Sequence, residues 1–102
     1  MSDGETAEQL IMEAYNRNST SNVLSVTARN VGSSAVTIAA TYVGGTSATF
    51  SGGLAAGQSV AVGAAASGSA TVTGTNGVAY VLKIVTQTGG VFSFSVIKGS
   101  AG

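Results

Sequence analysis

Asn18-Ser19-Thr20 is the one place in this 102-residue chain where residue types and spacing satisfy a chemical rule. An asparagine followed two positions later by a hydroxyl residue is the acceptor pattern for an N-linked sugar. Such triplets arise by chance in chains rich in Ser and Thr, so the pattern has meaning only if the protein is exported. It falls in the all-polar stretch Asn16-Arg17-Asn18-Ser19-Thr20-Ser21-Asn22, which reads as an exposed loop. Asn18 is therefore a candidate N-glycosylation site. The many other Ser and Thr residues could carry O-linked sugars, but no local pattern singles one out.

Other chemistry is excluded more than suggested. The chain has no His and no Cys, which removes the usual general bases, thiol nucleophiles, disulfides and transition-metal ligand sets. Its only acids, Asp3, Glu5, Glu8 and Glu13, all precede residue 14. A calcium cage needs about six to eight oxygens, and four acids in one leading segment read instead as a solvated start. No GxGxxG or Gly-Lys-Ser/Thr pattern stands between a strand and a helix. No catalytic, cofactor-binding or metal-ligating residue is expected, and the chain reads as a protein that is not an enzyme. Four basic and four acidic residues cancel to a net charge of zero, and no basic patch exists to hold nucleic acid. No run of about 18 apolar residues is present, so this chain as it stands is not expected to span a membrane.

The elements that would position Asn18 read as strands. In Val23 to Val43, Leu24, Val26 and Ala28 alternate with Ser25, Thr27 and Arg29, and after a break at Asn30 to Ser34, Val36, Ile38, Ala40 and Tyr42 alternate with Thr37, Ala39 and Thr41. Period-two alternation sends one set of side chains inward and the other to water. This predicts a strand, turn, strand unit. Ala7 to Asn16 fits either a helical stripe or a strand face. The strand is favoured, because a partner is needed for the strand that begins at Val23. Ala48-Thr49-Phe50 and Val60 to Val62 predict short strands, and Gly63 to Gly77 reads as loop with a short strand centred on Val72. In the last hairpin Tyr80, Leu82, Ile84, Phe92, Phe94 and Val96 should form one wall of the core, with Leu24, Val26, Val36 and Ile38 as the other. Lys83 and Ser93 should face outward.

Only 8% of residues are charged, with none from Val31 to Leu82, so Ser and Thr must carry the polar surface. About seven short strands with regular turn signals predict an all-β, Ig-like antiparallel β-sandwich over residues 8–98. Residues 1–7 are expected to be a flexible N-terminal segment and 99–102 a flexible tail.

Three stretches in this order resemble archaeal type IV pilin-like proteins. They are the first unit, with Arg29, Asn30, Gly32, Ser33, Ser34, Val36, Thr37 and Ile38, then Leu54 to Val60, and then the closing hairpin Tyr80 to Val96 with Thr86, Gly89 and Phe94. The resemblance covers roughly residues 8–97. It implies a structural subunit of a pilus or pilin-like filament, an extracellular head domain that coats the fibre and supports surface adhesion. Self-assembly in that family uses a hydrophobic N-terminal helix, which is absent from this chain. The resemblance implies no catalytic residues. The alternative expectation is an Ig-like cell-envelope module docking to an S-layer or other surface protein. Either reading places the domain outside the cell.

Overall fold

A computed structural model describes residues 8–102; the expectation of a flexible segment at residues 1–7 lies outside them. Alternation in the sequence becomes alternation of burial except at residues 40–43, where a register shift after Ile38 buries Thr41 and Val43 and leaves the expected Ala40 and Tyr42 only half-buried. Along β2 (Val23–Asn30) Leu24, Val26 and Ala28 are buried while their neighbours reach solvent or its margin. The same holds for Leu82 and Ile84 on β7 (Ala79–Thr86), with Lys83 and Ser93 exposed as expected. The remaining strands are β1 (Leu10–Arg17), β3 (Val36–Val43), β4 (Thr46–Ser47), β5 (Ser59–Val60), β6 (Ala65–Thr71) and β8 (Val91–Ile97). A single 3-10 turn spans Gly52–Leu54. The ambiguous first segment is thus a strand.

The eight strands among the described residues form two antiparallel sheets, ordered β1-β2-β6 and β4-β3-β7-β8, with β5 also paired to β3. The expected all-β antiparallel sandwich is the observed fold. Its core lies between the sheets, with Leu24, Val26 and Leu10 from one facing Val36, Ile38, Leu82, Ile84 and Val96 from the other.

That arrangement corrects one expectation. β2 and β3 are consecutive but sit in different sheets, so Val36 and Ile38 share a wall with Leu82 and Ile84 rather than opposing them. The cause is Asn30. Fully buried, it donates from Nδ2 to the carbonyls of Ser34 and Val60 and accepts the Gly32 N–H at Oδ1. These bonds set residues 31–35 as an arch that carries the chain across the sandwich.

Three further differences concern small residues and edges. Gly63 to Gly77 contains a seven-residue strand, β6, built from Ala, Ser, Gly and Thr, and Val72 lies just beyond its end. Its full pairing with β2, from Val23 opposite Thr71 to Arg29 opposite Ala65, outweighs its weak strand propensity. Ala48 and Phe50 are buried but lie outside the strands, on a segment that runs from β3, where Ala48 bonds Thr41, to β6, where Ser51 bonds Ser69. Residues 99–102 are hydrogen-bonded along the outer edge of β1: Tyr15 N–H donates to Gly102 O, Arg17 N–H to Ser100 O, and Gly99 N–H to Arg17 O. The expected flexible tail is a paired edge segment.

Candidate functional site

No group of three or more His, Cys, Asp or Glu side chains that could hold a metal ion occurs among the described residues. The described acids serve the fold. Glu8 accepts from the hydroxyls of Thr86 (2.8 Å) and Thr88 (2.6 Å), tying the entry of β1 to the β7–β8 turn. Glu13 pairs with Arg29 at 2.6 Å on the surface, and this carboxylate raises the Arg29 pKa further. Three surfaces remain on which partners could act: a sheet edge, a hydroxyl-lined groove, and a loop cluster at one end.

The edge is β8. Thr86 N–H donates to Gly90 O and Lys98 N–H to Val78 O, so the even-numbered residues of β8 turn their main-chain groups toward β7. The N–H and C=O groups of Val91, Ser93 and Ser95 therefore point out of the sheet. At Ile97 the outward N–H is taken by the Tyr15 hydroxyl oxygen at 3.2 Å. Edge strands are normally guarded by charge, proline or a bulge. Val91-Phe92-Ser93-Phe94-Ser95 has no charged residue, no proline and no register shift against β7. Phe92 and Phe94, expected to be buried, are only half-buried, since among the described residues β8 has no outer neighbour over this stretch. On the outer face Val81 and Val91 are 53% and 54% exposed.

The groove lies on the outer face of β1-β2-β6, with a volume of about 440 Å³ and Asn16, Ser25, Thr27, Ser51, Ser67 and Ser69 among its lining. Thr27 Oγ1 and Ser67 Oγ are 2.8 Å apart, so its hydroxyls already bond one another.

The loop cluster holds two buried cations that the sequence reading did not single out. A register shift between Met12 and Ala14 changes which side of β1 faces inward, and this turns Arg17 into the core. Arg17 is fully buried; Nη2 donates to the carbonyls of Val72 and Thr73, and its guanidinium stands 4.7 Å over the Tyr80 ring. Lys98, also buried, donates from Nζ to the carbonyls of Asn18 (2.9 Å) and Ser21 (3.1 Å). Lys98 was legible in principle, since the inward phase of Phe92, Phe94 and Val96 falls next on residue 98. Asn18, the candidate sugar acceptor, is exposed in the loop that Lys98 holds from below.

Tyr80 registers this environment. Its phenol is held below the ordinary value of 10.0, chiefly because its oxygen accepts the Thr75 N–H at 2.8 Å, with Arg17 and Lys98 adding. In an alkaline titration followed by tyrosine absorbance, Tyr80 should ionise below the ordinary tyrosine value. Tyr80→Phe should abolish that early step; an absorbance change that begins no earlier in the parent protein than in Tyr80→Phe would refute the assignment. A depressed phenol stabilises the fold only as pH rises through its folded pKa, and fully above the unfolded value, so nothing is expected from it at neutral pH.

The geometry defines a two-sheet antiparallel sandwich that, among the described residues, has an open edge at β8 and no assembled catalytic constellation. Over 87% of this chain and 99% of its own, the archaellum periplasmic stator protein FlaG from Sulfolobus acidocaldarius has a similar fold, with a TM-score of 0.62 and 17% sequence identity. No protein-family model and no curated protein matches the sequence. At this identity the likeness establishes the fold.

This likeness overturns the reading as a pilus or filament subunit, because the solved protein that shares the fold is an archaellum periplasmic stator protein. The alternative of a module docking to an S-layer gains no support either. The motif behind the resemblance has a structural explanation: Arg29 pairs with Glu13, and Asn30 with Gly32 builds the arch between sheets. Any sandwich that crosses at this point could use those residues, whether or not it polymerises. None of the described helices is long and apolar enough to cross a membrane.

Proposed function

We propose that this chain is the envelope-side domain of a stationary component of an archaellum-type motor, and that it holds another fixed component by strand pairing along β8. The observation that carries the reading is the edge at Val91, Ser93 and Ser95, whose outward main-chain groups have no partner among the described residues. The fold likeness to an archaellum periplasmic stator protein supports the stationary role.

A stator must resist load without moving. Main-chain bonds along an added strand share such a load, and each contributes about 0.5–1.5 kcal/mol net. The fitting occupant is an extended, uncharged segment with apolar residues on alternate positions. β8 itself is uncharged, Phe92 and Phe94 offer half-covered rings on one side, and Val91 lies on the other.

Ser95→Pro tests the reading. The Ser95 N–H points out of the sheet, so proline removes a donor from the docking edge and no bond from the β7–β8 ladder. The purified variant should melt within a few degrees of the parent. Placed at the native locus in the source cell, it should reduce or abolish swimming while the protein is produced at parental level. Undiminished swimming with the variant, or with the gene deleted, would sink the proposal.

A further inference from the structure

We infer that Asn18 is a built acceptor for an N-linked sugar, with its side-chain amide presented outward from a loop fixed by the fold. The sequence pattern alone is weak, and the local geometry strengthens it. Asn18 Oδ1 accepts from the Thr20 N–H at 2.8 Å, the Thr20 hydroxyl at 2.8 Å and the Ser21 N–H at 3.2 Å. This is an Asx turn, in which the side-chain oxygen stands in for a backbone carbonyl. Three donors on Oδ1 draw electron density from the amide and fix its plane. Nδ2 has no protein partner among the described residues, and Asn18 is exposed.

The loop is held from its inner side. Lys98 Nζ bonds the carbonyls of Asn18 and Ser21, and the Asn18 N–H donates to Val23 O. With its main chain so engaged, the loop leaves the amide nitrogen as its free group. Asn30 gives the contrast: it is fully buried, its Nδ2 donates to two carbonyls, and no hydroxyl residue stands two positions after it. The Thr20 hydroxyl thus already donates to the Asn18 amide oxygen before any transferase binds.

In the modification, the Asn18 Nδ2 forms a bond to the anomeric carbon of a sugar carried on a lipid phosphate. The bond from that carbon to the phosphate oxygen breaks, and the lipid phosphate leaves with the electron pair. One Nδ2 proton passes to a base of the transferase. No oxidant or reductant is involved. A sugar there would cover the end of the sandwich where Arg17, Tyr80 and Lys98 lie, away from the main-chain groups of Val91 to Ser95.

Peptide mass spectrometry of the protein purified from its source cells is the test. The peptide containing Asn18 should carry a glycan mass. Asn18→Gln and Thr20→Ala, expressed in the same cells, should each lose it, and Thr20→Ser should restore at least part of it. Recovery of the parental Asn18 peptide only in unmodified form would overturn the inference, as would a glycan that persists in Asn18→Gln. Because the readout is a covalent mass, its failure is distinguishable from any failure of the β8 docking reading, which is measured by swimming.

Discussion

Replacing Leu82 by alanine should lower the unfolding free energy by about 2–5 kcal/mol, the range for truncating a large aliphatic side chain in a closed core. Leu82 is fully buried on β7, paired with Val43 on one side and Phe94 on the other. It sits in a strand with neighbours on both edges and a second sheet across its face, so little can collapse into the space left behind. Against a typical domain stability of about 5–15 kcal/mol, that is a large share. Urea unfolding should show the midpoint falling with an unchanged slope. An unchanged midpoint would mean that Leu82 is not in the core. Phe94→Ala should cost less than Leu82→Ala, although the side chain is larger, because Phe94 is only half-buried on β8.

The second large effect is expected at Gly68, in the middle of β6. A Cβ built there runs into the Ser51 carbonyl oxygen and presses on Leu54 Cβ at 3.1 Å. The neighbour that must give way is backbone, tied to β6 by the Ser51 N–H to Ser69 O bond at 2.9 Å. Forcing even one methyl into such a contact typically costs about 1–3 kcal/mol, and more where the obstruction is main chain. Gly68→Ala should therefore destabilise by at least that amount and loosen the 50–54 segment. Hydrogen exchange at Ser51 and Ser69 should rise together. Parental stability and protection in the variant would show that the segment is not packed on Gly68.

Gly68 also shows where reading along the chain stops. Nothing in Ala65-Ala66-Ser67-Gly68-Ser69-Ala70-Thr71 announces a strand, because its residues are too small to show a hydrophobic face. It is a strand because β2 offers seven consecutive partners on one side and Ser51 offers a bond on the other. Small residues let the 50–54 segment lie close against it.

Some features did follow from residue types alone. Bulky alternation along β2, β7 and the first half of β3 identified buried positions, since a side chain's face in a regular strand follows the two-residue period. Beyond the register shift between Ile38 and Ala40 the phase reverses, burying Thr41 and Val43 where Ala40 and Tyr42 were expected. Lys83 outward and Leu82 inward needed no other information. The absence of His and Cys, and the placement of Asn18 in an exposed polar loop, likewise belong to the sequence.

Which strand lies beside which was decided only in three dimensions. Main-chain hydrogen bonds are the same for every residue type, so alternation marks the face a side chain takes and leaves the neighbour unspecified. Hence β2 and β3, adjacent in the chain, part at Asn30 into different sheets, and residues 99–102 join β1 across the whole length of the sequence. The shift at Met12 to Ala14 buries Arg17 for the same reason, a single residue changing the face of all that follow. The edge that β8 forms among the described residues is likewise a tertiary property, because an edge exists only where the assembled sheet ends.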